Sequence, residues 1–177
     1  ISGFVGEVYG WQEMYFIAAG IMVILFFALL KFLPEIYPDF KGTYPELIKS
    51  IVDQFQKYPK LRLAAFRGAL DFAGFSIFWT TMVFLLQGEP FKLGSNAAGA
   101  MGLVGIAGAV VASFVGKLSD RMSKSKLIII GAVTIMISWV IIGFSYASLI
   151  GLIIGAFVLD LGVQSVHITN QTIIFED

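Results

Sequence analysis

Two uncharged runs, residues 96–115 and 127–151, most constrain what this chain can fold into. Rising about 1.5 Å per residue, each run as a helix is long enough to cross a hydrocarbon core of roughly 30 Å. Lipid offers no partner to a bare peptide group, so a spanning segment has to satisfy its backbone internally, and the helix does so. The residues between the runs, 116–126, therefore turn the chain at a membrane surface. Lys117, Arg121, Lys124 and Lys126 make this turn basic, against one acid, Asp120. Lysine and arginine concentrate on the cytoplasmic side of membrane proteins, which predicts that the loop 117–126 is cytoplasmic.

Composition agrees. The chain is 58% hydrophobic and 14% charged, which excludes an ordinary soluble domain and predicts an all-α, polytopic transmembrane bundle. Twelve cations balance twelve anions, a total that says nothing about nucleic acid, which is not among the expected partners; the placement of charge is more informative. With no cysteine, disulfides and thiolate chemistry are unavailable. The chain opens on Ile1 and stops just beyond an apolar run. These ends are expected of a piece of a longer protein.

Taken in order, residues 1–10 are too short to span. Residues 11–33 form a first span, with Trp11 and Tyr15 at one interface and Lys31 and Pro34 at the other. Residues 34–62 break the apolar pattern and read as a cytoplasmic linker. Within it, Thr43 and Glu46 have capping-box spacing, with Pro45 in the first turn. Leu47, Ile48, Ile51, Val52 and Phe55 then recur on one helical face, predicting an amphipathic helix on the membrane surface or against the bundle. A second span, 63–87, carries Arg67 and Asp71 one turn apart, a spacing that suits a local ion pair. The third, 97–116, holds glycine and alanine stripes (Gly105, Ala109, Ala112, Gly116; Gly99, Gly102, Gly108) that suit close helix packing. The fourth and fifth spans cover 127–146 and 150–171. Eleven of the twelve cations fall in or near the two predicted cytoplasmic loops, and Lys92 lies outside.

Gly116, Asp120 and Arg121, followed by Lys124 and Lys126, resemble the signature loop of the major facilitator superfamily, with Ser123 where that motif has its second glycine. Gly10-Trp11, Phe78-Trp79-Thr80-Thr81, Leu93-Gly94-Ser95 and Asp160-Leu161-Gly162-Val163-Gln164 with Asn170-Gln171 are similar to its bacterial drug:proton antiporter branch. The resemblance implies a fragment from the end of a fifth helix to a tenth. Residues 1–33 would close the N-terminal six-helix half, 34–62 would be the interdomain linker, and 63–177 would be part of the C-terminal half. It further implies alternating access around a midplane site in the bacterial inner membrane, with proton-coupled efflux of a small organic solute or drug. Its partners would be the bilayer, the small-molecule substrate, protons and the missing remainder of the chain; no cofactor and no metal is implied. Gly116, Asp120, Arg121, Lys124 and Lys126 would gate.

Several polar residues at membrane depth are candidates for coupling or substrate binding. Asp160 lies near the middle of its span, where a charge costs at least about 2.5 kcal/mol on insertion scales. It is expected to face the interior as a coupling or substrate carboxylate, or as a structural acid held by neighbouring helices. Gln164 and His167 share its face, and a histidine can relay protons near neutral pH or simply pack. Asp71 is a coupling candidate or the partner of Arg67. Phe78 and Trp79, with Phe75, suit either an aromatic or cationic substrate or plain packing. An intramembrane enzyme, or a small multispan scaffold or channel subunit, is an alternative. No nucleophile–histidine, His-Glu-x-x-His or phosphate-loop pattern favours an enzyme.

Overall fold

The computed structural model describes residues 5–6, 8–34, 42–119 and 122–175, except the side chains of Ser95, Ala109 and residues 111–119. Among the described residues the long elements are all helices: α1 (Trp11–Phe32), α2 (Tyr44–Lys57), α3 (Pro59–Gln87), α4 (Ser95–Ser119), α5 (Lys124–Phe144) and α6 (Leu149–Phe175). Helices α1, α3, α5 and α6 are long and apolar enough to span a membrane, and α4, of 25 residues, carries a further apolar stretch, Asn96–Gly108. The protein is a multi-pass membrane protein, and its fold is the transmembrane helix bundle expected from the sequence.

Helix α1 is apolar on every side and buries no residue, the signature of a helix whose solvent is lipid or further protein. Helix α2 differs, with its polar and apolar residues segregated onto two faces. The Thr43 backbone N–H donates to the Glu46 carboxylate at 2.7 Å, closing the capping box at its start. Only Tyr58, in an extended conformation, separates α2 from α3. Pro59 opens α3, where its missing N–H costs nothing. The second span therefore begins four residues before the expected position, and the linker runs into it around one sharp corner.

Helix α6 is the hub. It packs against α3, α4 and α5, most extensively against α5, and ten of its residues are buried, from Leu152 to Asn170. Its Leu152, Ala156, Leu159 and Val163 meet Phe78, Met82 and Leu86 of α3 and Met101 of α4 in the main apolar cluster. Along α3, Ala64, Phe78, Met82 and Leu86 are buried, with Gly68, Asp71 and Phe75 half-buried on the same stripe. That stripe, spaced by threes and fours, is the seam α3 lays on α6.

Close helix approach was expected along α4, and the structure adds a tighter one between α5 and α6. A Cβ on Gly162 would stand 2.9 Å from the Ile135 nitrogen and 3.0 Å from the Gly131 carbonyl oxygen. A Cβ on Gly131 would stand 2.7 Å from Val166, and one on Gly155 2.5 Å from Ile142. With no apolar solvent penalty to drive helices together in lipid, such backbone proximity and the dispersion contacts it permits supply the association. On α4, Gly102 has nothing within 4 Å of its Cβ position, so that part of the expected stripe faces outward. Ala109, Ala112 and Gly116 lie outside the described side chains.

Candidate functional site

Among the described residues, two carboxylates stand near mid-span, Asp71 of α3 and Asp160 of α6, and Asp160 is the more deeply buried. Asp160 sits eleven residues into α6, about 16 Å along the axis, and is only 4% exposed. Both of its carboxylate oxygens are buried without a hydrogen-bond partner. The glycines of α4 make the room: a Cβ on Gly108 would lie 2.7 Å from the Asp160 Cβ and 3.1 Å from Oδ2. Above Gly105, the same position would lie 3.5 Å from Asp160 Oδ2 and 3.6 Å from the Trp79 ring. Trp79 of α3 thus flanks the carboxylate across α4, and its buried indole N–H is the donor that acts on that carboxyl, although the two groups do not reach full hydrogen-bond geometry. Three helices converge on one acid and one donor, each left with unused hydrogen-bonding capacity. Such groups are costly in an interior and concentrate where function requires them.

The aromatic residues of α3 form a row rather than a box. Phe72 stacks on Phe75 (centroids 6.3 Å), Phe75 leans on Trp79 (6.0 Å), and Phe78 meets Trp79 edge-on (5.5 Å). Phe78 is buried in the main apolar cluster, where its packing is that of a core residue. Trp79 is the member of the row that reaches the carboxylate.

The family profile described as Major Facilitator Superfamily matches residues 1–177, the full length of the sequence. The chain belongs to the major facilitator superfamily. It is 38% identical over 175 residues to the uncharacterized transporter YgaY of Escherichia coli O157:H7, covering 99% of this chain and 44% of that protein. The same identity and coverage relate it to the uncharacterized transporter YgaY of Escherichia coli K12. It is 26% identical over 178 residues to the probable transporter SCO4007 of Streptomyces coelicolor, covering 98% of this chain and 40% of that protein. The chain thus spans less than half the length of these curated relatives. No solved structure matches it.

Within this facilitator the other candidates fall apart in space. Arg67 and Asp71 share a helix face but are not among the ion pairs of the described residues. Arg67 Nε instead donates to the Leu63 carbonyl at 3.4 Å, one turn toward the start of α3, while Asp71 Oδ1 is buried without a partner. The long guanidinium stem reaches away from the interior, as a snorkelling cation does, and leaves the acid on the α3 seam. Asp71 lies eight residues, about 12 Å by helical rise, from Trp79 toward the start of α3.

His167 and Asp160 share a face of α6 by register but not an environment. His167 is exposed, and the Gln171 side-chain amide donates to its Nε2 at 3.0 Å. Gln164 is half-buried between them. Along this face of α6, burial gives way to exposure within seven residues, although Val166, Thr169 and Asn170 on the adjoining face stay buried. Of the gating motif, Asp120 and Arg121 lie outside the described residues, and Gly116 is described only as backbone of α4. Lys124 and Lys126 stand in the first turn of α5.

A polar contact the sequence did not single out joins α3 and α6 at the end of the bundle where α5 begins. Asn170 Nδ2 donates to the Ala64 carbonyl at 2.7 Å, a buried bond. Gly68 gives it space, since a Cβ there would lie 3.5 Å from the same nitrogen. The signal was an asparagine near a helix end, and only its pairing with a glycine on another helix distinguishes it.

Proposed function

We propose that the full-length protein is a secondary active transporter working by alternating access, and that it couples efflux of a small organic solute or drug to protons through Asp160. The carrying observation is the Asp160 carboxylate, 4% exposed at mid-span with neither oxygen hydrogen-bonded. A charge at that depth is expensive and the neutral acid is not, so binding or losing a proton there is tied to whether the bundle is open to water. The surroundings favour a proton over a metal ion. A hard cation needs about six oxygen ligands; Asp160 supplies two, and its near neighbours are Gly105, Gly108 and the Trp79 ring. A proton needs one oxygen.

In this reading residues 1–33, 34–62 and 63–177 divide between the N-terminal half, a cytoplasmic linker and the C-terminal half, in the bacterial inner membrane. The loop 117–126 is cytoplasmic, and Gly116, Asp120, Arg121, Lys124 and Lys126 latch one conformation. Trp79 places its indole beside the coupling acid; Asp71, Gln164 and His167 lie between that acid and the cytoplasmic end of their helices; and Phe78 packs in the apolar cluster. The positive-inside distribution of lysine and arginine and the names of the relatives support this assignment.

The test uses the full-length protein in inverted membrane vesicles. A panel of small organic solutes and drugs is added while a pH-sensitive dye follows proton movement. Solute-dependent proton flux in wild type that disappears in Asp160→Asn, with the variant still folded and inserted, is the expected outcome. Undiminished proton-coupled flux in Asp160→Asn would show that the acid is structural.

A further inference from the structure

The corner between α2 and α3 borders a groove of about 590 Å³. Gln54 of α2, Tyr58 at the corner, Lys60 and Leu61 of α3, and Ile173 and Ile174 of α6 line it. Its volume falls within the roughly 300–1,000 Å³ of small-molecule sites, yet it lies at the end of the spans, far along α6 from Asp160. Its chemistry is divided: Leu61, Ile173 and Ile174 are apolar walls, while Tyr58 and Lys60 bring a phenol and an ammonium. Lys57 and Arg62 stand on either side of this rim in sequence. The run from Lys57 to Arg62 thus holds three cations and no acid. The Lys57 ammonium lies 5.4 Å over the Tyr58 ring, which holds this charge at the corner.

Beside the groove, α2 presents Leu47, Ile48, Ile51, Val52 and Phe55, all exposed, as an apolar face on a helix too polar to span. That pattern places α2 in the plane of a membrane interface. The groove consequently opens where phosphate headgroups and the first acyl carbons of a leaflet meet. Cations at the mouth and aliphatic walls inside match a ligand that is anionic at one end and hydrocarbon at the other. Basic pockets between membrane helices at such a surface are known to hold anionic headgroups.

We propose that this groove binds an anionic phospholipid, with its phosphate on Lys57, Lys60 and the Tyr58 hydroxyl, and an acyl chain along Leu61, Ile173 and Ile174. The lipid would join α2 to the ends of α3 and α6, so lipid charge would set how firmly the linker is held to the bundle. This site is independent of the Asp160 reading and survives its failure.

Native mass spectrometry of the full-length protein, released from nanodiscs of mixed phosphatidylglycerol and phosphatidylcholine, tests it. Wild type is expected to retain phosphatidylglycerol in preference to phosphatidylcholine. Each cation changed to glutamine in Lys57→Gln and Lys60→Gln should weaken retention about fivefold, and Lys57→Arg should retain it. Ile174→Trp, which fills the groove without altering charge, should also lose the lipid. Equal retention of both lipids by wild type would overturn the proposal, as would full phosphatidylglycerol retention in Ile174→Trp, which would reduce the effect to diffuse surface attraction. A groove filled by another segment of the full-length chain would give the first of these results.

Discussion

Asn170 and Ala64, 106 positions apart in the chain, are joined by a buried 2.7 Å hydrogen bond from a side-chain amide to a main-chain carbonyl. It ties the last turns of α6 to the first turns of α3 beside Gly68. Interhelical hydrogen bonds in membrane proteins contribute about 0.6 kcal/mol on average and up to about 1.7. Asn170→Ala should lower the stability of the full-length protein in detergent by about 1 kcal/mol, read from its denaturation midpoint. Asn170→Asp, nearly isosteric but with an acceptor facing the carbonyl, should cost more than Asn170→Ala. An alanine variant as stable as wild type would show that the bond contributes nothing net.

The glycines opposite Asp160 offer a paired comparison. Gly108→Ala puts a methyl group 2.7 Å from the Asp160 Cβ, and overpacking of this kind costs about 1–3 kcal/mol. Gly102→Ala meets nothing within 4 Å and should be neutral to stabilising by up to about 1 kcal/mol, the helix preference of alanine over glycine. Thermal denaturation of the two variants side by side measures the difference. Equal midpoints would mean that Asp160 moves aside without cost.

A second pair addresses the α5–α6 contact. Gly162→Ala collides with the Ile135 nitrogen and the Gly131 oxygen, which are backbone atoms that cannot rotate away. It should destabilise by about 2–3 kcal/mol and reduce the yield of folded protein. Gly143→Ala, with open space around it, serves as the control and should match wild type by size-exclusion chromatography and melting. If Gly162→Ala behaves like the control, the two helices are not held at backbone distance.

Arg67 and Asp71 are spaced for an ion pair that does not form. A double-mutant cycle of Arg67→Gln and Asp71→Asn should give a coupling energy below about 0.5 kcal/mol, the scatter expected of independent sites. A coupling energy well above that would restore the pair.

Which parts of this architecture are local determines which were readable in advance. Spans at Trp11–Phe32 and Leu149–Phe175 follow from predominantly apolar length. The start of α2 follows from Thr43 and Glu46, three residues apart. The interior position of Asp160 follows from the cost of charge in lipid, which admits few alternatives. By contrast, the Arg67–Asp71 reading failed because helical register brings side chains near each other without deciding where a flexible guanidinium points. Register puts His167 on the Asp160 face of α6, but that Asp160 is buried and His167 exposed depends on which helices reach each depth. The glycine pattern of α4 was visible; that Gly131, Gly155 and Gly162 make the closest approach depends on which helices meet and at what depth.

The sequence by itself determined the class of fold, the helices and their limits within a few residues, and the burial of one mid-span acid, because these depend on hydrophobic length, capping chemistry and the price of charge in hydrocarbon. Only the tertiary structure decided that α6 is the hub, that Gly105 and Gly108 make room for Asp160 beside Trp79, that Asn170 reaches Ala64, and that a basic-rimmed groove opens behind Tyr58. Those relationships join residues from different helices. In lipid, where apolar surface does not distinguish one neighbour from another, they rest on shape: which small residues meet, and which polar atoms their close approach brings into reach.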